Sequence, residues 1–261
     1  MLGGPWPTSR PSHVLLLLLA TPLLLQQDPH GVLRALASTQ CEEKALPPVS
    51  SFAMRVSLQD RSKVPREFIF DLLYSTEPER VRLTVDDPKR GVKVEKGFDN
   101  EKFWLYSNNQ GVINLSGREY TKDREAIEAT LDLSRDLLLV LDVARIEEKA
   151  QNLSMDSGGI VGNLFDEEEG HLIFRINVNV DDPKALPQSL ILFRHPAELF
   201  VPPRKFVFDA WKSFNGRKIP RLIEEYSDLS EELPVRIIEV QDFLWKKPLS
   251  AKIFAPPSSG D

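Results

Sequence analysis

The stretch Arg66–Tyr106 reads R-E-F-I-F-D-L-L-Y-S-T-E-P-E-R-V-R-L-T-V-D-D-P-K-R-G-V-K-V-E-K-G-F-D-N-E-K-F-W-L-Y, and its reading decides the fold. Four short runs of aromatic and β-branched residues are separated by turn residues, which predicts consecutive antiparallel strands. Phe68, Phe70, Leu72 and Tyr74 alternate along the first run; Val81, Leu83 and Val85 do so in the second, with Arg80, Arg82 and Thr84 between them. A sheet built this way must turn its apolar side toward a helix, a second sheet or a ligand.

Outward from that stretch the same pattern continues. Phe52 to Leu58 alternates as a first strand, with turns expected at Glu77-Pro78, Asp86-Asp87-Pro88 and Asp99-Asn100, and Gln110 to Leu115 pairing back. From Thr121 to Ala150 the period changes: no Gly or Pro occurs, and Ile127, Leu131, Leu138 and Leu141 fall at helical spacing. Thr121 or Asp123 is the expected cap. The apolar run Leu137 to Val143 implies deep burial or a break into two helices. Met155 to Gly170 reads as a flexible connection. Strands resume at His171–Val180, Ser189–Phe193, Pro203–Trp211, Arg217–Tyr226, Val235–Phe243 and Ala251–Phe254. The expected fold class is therefore α+β and mainly β, with helices packed on one side of an antiparallel sheet.

The N-terminus follows another logic. Val14 to Leu25 is an apolar run of about a dozen residues, short of the ~20 a spanning helix needs, and it fits a secretory signal peptide. Ala35-Leu36-Ala37 offers a cleavage pattern, and a cut nearer Gln26 is the alternative. The expected organisation is a signal peptide over 1–37 and a linker over 38–51. A single domain over 52–257 follows, with its helical insertion at about 121–150, and then a disordered tail over 258–261. Export places the protein in the periplasm or outside the cell. Lipid anchoring at Cys41 is not expected, since Gln40 is the wrong neighbour for a lipidated cysteine. One cysteine also rules out an internal disulfide.

Chemistry-bearing patterns are scarce. The chain has 261 residues, 41% of them hydrophobic and 28% charged, with net charge -6; this acidic balance lacks the basic footprint of nucleic-acid binding. Two of its four histidines, His13 and His30, lie in the expected leader, and His171 and His195 form no ligand-spaced pair. There is no H-E-x-x-H, C-x-x-C or G-x-S-x-G. Gly158-Gly159 lacks a P-loop lysine, and Asp166-Glu167-Glu168-Glu169 lacks calcium-loop spacing. The expectation is a non-enzyme with no cofactor and no metal. Carboxylates are numerous, so a hydrolase whose pair cannot be singled out stays open.

The order of these runs resembles the periplasmic lipoprotein carriers of the LolA and LolB kind. The residues that carry the likeness are Pro78 to Leu83, Asp99 to Tyr106, the G-x-x-x-P run Gly216 to Pro220, and the closing Phe254-Ala255-Pro256. The resemblance implies a highly curved, unclosed β-barrel with a helical lid over a hydrophobic cavity. It implies a lipid or acylated protein as partner, with a membrane-associated protein compatible and a monomer expected. Expected cavity residues are Phe68, Phe70, Leu72, Tyr74, Val81, Leu83, Trp104 and Tyr106 from the first strands, and Ile127 and Leu131 from the helix. Phe206, Phe208, Ile238 and Val240 complete the set from the closing strands. Two departures stand out. That family begins with a helix, which Ala45-Leu-Pro-Pro-Val49 cannot form, and its carriers often place an arginine before the proline, where this chain has Thr76-Glu77. The alternative to a ligand cavity is an interaction or sensory module on the same fold, its core filled by its own side chains.

Overall fold

The computed structural model describes residues 28–42, 47–61, 66–87, 91–156, 159–166, 170–179, 182, 185–193, 202–245 and 248–257. The apolar leader run, the acidic residues 167–169, Gly158, His195 and residues 258–261 lie outside them. A helix, α1 (Pro29–Gln40), precedes the strands β1 (Ser51–Asp60), β2 (Arg66–Thr76), β3 (Glu79–Asp87), β4 (Val92–Phe98), β5 (Phe103–Ser107) and β6 (Gly111–Asn114). Helices α2 (Thr121–Leu141) and α3 (Val143–Lys149) follow, and then strands β7 (Ala150–Asp156), β8 (Gly159–Asp166) and β9 (Gly170–Asn177). Strands β10 (Ser189–Phe193), β11 (Arg204–Phe214), β12 (Arg217–Tyr226) and β13 (Arg236–Leu244) complete the described elements.

All the strands form a single 13-stranded sheet, ordered β6-β5-β4-β3-β2-β1-β13-β12-β11-β10-β9-β8-β7. Every pairing is antiparallel, and β1 joins β13 at the centre. The edges β6 and β7 do not pair, so the barrel is unclosed, and α2–α3 is the connection between those two edges.

That connection requires a strongly curled sheet. Laid flat at ~4.8 Å per strand, β3 and β11 would lie ~24 Å apart. Yet the adjacent residues Arg135 and Asp136 of α2 reach Glu79 on β3 and Arg204 on β11 respectively. The inner faces of both halves accordingly meet in one core around α2.

Helix α2 breaks where the apolar run suggested. It ends at Asp142, whose φ of -141° and ψ of 78° leave the helical region, and α3 starts at the next residue. The break frees backbone groups that must find partners in a dry interior. Gln40, fully buried at the end of α1, fills both roles: Nε2 donates to the Val140 carbonyl at 2.9 Å, and Oε1 accepts from Val143 N–H at 3.0 Å. The N-terminus of α2 is not capped by Thr121 or Asp123; a 3₁₀ turn at Arg118–Tyr120 leads into it instead.

Three sequence expectations change. The boundary at 37 divides α1, whose Leu33 and Leu36 are core residues; Asp28 caps this helix by accepting from His30 and Gly31 N–H. A helix therefore does precede β1, upstream of the Pro47-Pro48 pair rather than within it. Met155–Gly170 is no loose connection but contains most of the β7–β8 hairpin. Its Gly162 permits close packing rather than flexibility: a Cβ there would lie 2.5 Å from the Leu153 side chain and 2.9 Å from the Phe174 ring. Ala251–Phe254 is a 3₁₀ turn instead of a strand.

Candidate functional site

Register maps the inner face row by row. Phe52, Tyr74, Val81, Phe98 and Phe103 line up across β1 to β5, and the Phe98 and Phe103 rings stand 4.7 Å apart. The next row runs Met54, Leu72, Leu83, Lys96, Leu105 and Ile113 across β1 to β6. Cover differs sharply along these rows. Phe52, Met54, Leu72, Tyr74 and Val81 are buried, whereas Leu83, Val85, Phe98, Phe103, Leu105 and Ile113 are only half-buried against the core. On the other half, Ile160, Phe174, Ile176, Leu190, Phe206, Ile219 and Ile223 are all at or below 2% exposure. The uncovered apolar surface thus lies on the inner face of β3–β6.

The expected cavity residues divide accordingly. Phe68 and Leu83 are half-buried on the inner face. Phe70, Leu72, Tyr74, Val81, Ile127, Leu131, Phe206, Phe208, Ile238 and Val240 are inner-facing and buried in the core. Trp104 and Tyr106 are corrected, because both sit on rows of the outer face. Trp104 opposes Gly97 and Asn114, and its Nε1 donates to the Phe254 carbonyl at 3.1 Å. Gly97 makes room for that indole, since a Cβ there would approach it to 2.7 Å. The alternation F-W-L-Y puts Phe103 and Leu105 inside; with every residue apolar or aromatic, the sequence does not say which pair faces in. Phe98, Phe103, Leu105 and Ile113 were legible only as strand residues, because register decides that they share a face with Val85.

Ion pairs hold the helices across this face. Arg135 grips Glu79 through both carboxylate oxygens, with Nε to Oε1 at 2.7 Å, and Tyr74 Oη donates to the same carboxylate at 2.9 Å. Burial first, then the Glu79 charge and this hydrogen bond, push the Tyr74 phenol well above its ordinary range. Asp136 pairs with Arg204, which also binds Glu225 at 2.7 Å, and Arg236 completes the cluster at 3.0 Å from Glu225. Burial works against the Arg204 charge, but Asp136 and Glu225 outweigh it and hold its pKa above the usual value.

The third link is the deepest. Arg217, 1% exposed, binds Asp142 at 2.6 Å, donates to the Pro47 carbonyl at 3.1 Å and lies over the Trp245 ring at 4.5 Å. Asp142 in turn accepts from Val49 N–H at 2.8 Å. Cys41 forms an isolated bridge with Arg217; burial raises its thiol pKa, with Arg217 opposing, so it lacks the thiolate character of a nucleophile.

A groove of about 560 Å³ opens on the outer face, lined in part by Arg55, Asp71, Leu73, Arg82, Glu95 and Leu244. Its central charges are satisfied internally, since buried Glu95 takes both Arg82 and Lys93. Among the described residues no group of three or more His, Cys, Asp or Glu is placed to hold a metal ion, and no helix is long and apolar enough to cross a membrane.

No family model and no curated protein matches the chain. Among solved structures it is similar to a LolA superfamily protein from Nitrosomonas europaea, at 11% identity and TM-score 0.48, over 87% of this chain and 97% of that one. It is also similar to an outer membrane lipoprotein-sorting protein domain from Vibrio parahaemolyticus, at 9% identity and TM-score 0.45, over 87% and 97%. The Mycobacterium tuberculosis lipoprotein LppX matches more distantly, at 11% identity and TM-score 0.25, over 85% and 97%. The fold itself, an unclosed antiparallel barrel with helices drawn between its free edges, rests on the strand order of this chain.

Proposed function

We propose that this chain is an exported, non-enzymatic binding protein that holds an apolar chain, such as a lipid acyl group, between the inner face of β3–β6 and α2. The observation that carries this reading is the half-buried apolar surface of Leu83, Val85, Phe98, Phe103, Leu105 and Ile113, facing inward on a sheet whose other half is more fully buried. A twelve-carbon chain would gain roughly 9 kcal/mol gross at about 0.8 kcal/mol per buried CH₂. Association costs on the order of 4 kcal/mol or more, leaving about 5 kcal/mol or less, a Kd of roughly 0.2 mM or weaker.

A second reading is an interaction module whose core fills itself, favoured by the 1–2% exposure of Leu72, Tyr74, Val81 and Ile127. Native mass spectrometry of the exported protein, with uptake of a fluorescent fatty acid by the delipidated form, separates the two. Bound lipid and saturable uptake, reduced by Leu105→Asp, are expected. A clean apo mass with no uptake would leave the self-filled core.

A further inference from the structure

Lys96 breaks the apolar row on the inner face of β3–β6. Register places it between Leu83 on β3 and Leu105 on β5, with Ile113 next along the row. The residue is half-buried, and among the described residues its side chain has neither a hydrogen bond nor an ion pair. The surrounding charges behave otherwise. Arg135, Arg204 and Arg217 each meet a carboxylate, and on the outer face Glu95, next to Lys96 in sequence, takes both Arg82 and Lys93. Lys96 is thus the one cation among the described inner-facing positions of β3–β6, and its charge is uncompensated on an apolar surface.

An ammonium drawn against apolar surface gives up part of its hydration, and that loss is recovered by an anionic or hydrogen-bonding partner. The protein supplies none on this row. We infer that Lys96 binds the head group of a single-chain anionic amphiphile, a long-chain carboxylate whose tail lies along Leu83, Phe98, Phe103 and Leu105. This inference rests on the apolar-chain reading and adds the chemistry of the head. One ammonium balances one negative charge. The row offers neither the guanidinium fork nor the second cation that a phosphate head group commonly recruits. A surface lysine that merely lays its methylenes on apolar neighbours would show no preference among head groups.

The test is calorimetric titration of the delipidated full chain with dodecanoate and with dodecan-1-ol, which share a tail. Wild type should bind dodecanoate about tenfold or more tightly than the alcohol, the scale of one charge-assisted hydrogen bond. Lys96→Gln should abolish that preference while leaving alcohol binding within about twofold, and Lys96→Arg should retain most of it. Equal binding of acid and alcohol by wild type, or an unchanged preference in Lys96→Gln, would overturn the role of Lys96 and leave the apolar-chain reading standing. Failure of wild type to bind either ligand would overturn both. Circular dichroism and urea unfolding of each variant show whether the fold survives the substitution.

Discussion

β3–β6 and β8–β12 are written in the same alternating code, yet their inner faces meet different fates. The second set is mostly closed: Ile160, Phe174, Phe206, Ile219 and Ile223 fall to 0% exposure, and Leu172 on β9 stays half-buried. The first keeps Leu83, Phe98, Phe103, Leu105 and Ile113 half open. Cover explains the difference. The C-terminal half of α2, buried nearly all round from Leu133 to Leu141, fills the middle of the barrel, and α3 and α1 pack beside it toward β7, β8 and β12. Over β3 and β4 the cover is α2 alone, through Arg135 on Glu79 and an amphipathic N-terminal half with Ile127 and Leu131 on its buried side. One half of the sheet is a core; the other is a wall with one side of its cover thin.

The largest way to break this contrast is to strip the cover from the closed half. A chain beginning at Asp28 should fold, whereas one beginning at Ser38 loses Leu33 and Leu36. We expect the latter to be destabilised by roughly 4 kcal/mol or more, since each buried leucine is worth about 2–5 kcal/mol. Urea midpoints and N-terminal sequencing of the exported protein check this together; mature protein that starts after residue 37 would contradict it.

Next comes the anchoring of α2 on each half. Asp142→Asn leaves the Arg217 charge buried without its partner and should cost about 3–5 kcal/mol. Glu79→Gln breaks a pair that is about a quarter to a third exposed, so about 1 kcal/mol is expected there. Comparable urea midpoints for the two variants would refute the idea that the halves are held unequally.

Core truncations sharpen the comparison further. Phe174→Ala should cost about 3–5 kcal/mol and leave chain binding intact, while Leu83→Ala, already half open, should cost nearer 1 kcal/mol. Leu83→Ala should instead weaken dodecan-1-ol binding, which titration of the same two variants would reveal.

The smallest effect concerns Tyr74. Its folded pKa is raised above the unfolded value, so its contribution is complete below the ordinary phenol range near pH 10 and is lost as pH rises toward the folded pKa. Tyr74→Phe should cost about 1 kcal/mol at neutral pH and flatten the decline in stability above pH 10. An unchanged alkaline slope would show that Glu79 does not hold that proton.

Much of this was legible in local pattern. Alternation at Phe68, Phe70, Leu72 and Tyr74 and at Val81, Leu83 and Val85 located the strands and their inner face, because a strand's side chains have period two. The all-round apolar run at Leu137–Val143 pointed to deep burial or a break, since no surface helix tolerates such a face, and α2 shows both. The β7–β8 hairpin was missed because its glycines read as punctuation, although Gly162 serves the approach of Leu153 and Phe174. α1 was missed because a cleavage-like Ala-Leu-Ala looks the same inside a helix as it does before a cut.

The sequence by itself determined most of the strands and the helical crossing, properties carried by near neighbours in the chain. Only the tertiary structure decided which aromatics of Phe103–Tyr106 face inward and which half of the sheet stays uncovered. It also decided that Lys96, unremarkable among 33 lysines and arginines, stands alone in an apolar row. Those facts depend on register and on what packs opposite. Register is set by pairing between strands and cover by the helices that cross them, and a one-residue slip in pairing would turn each row to the other face.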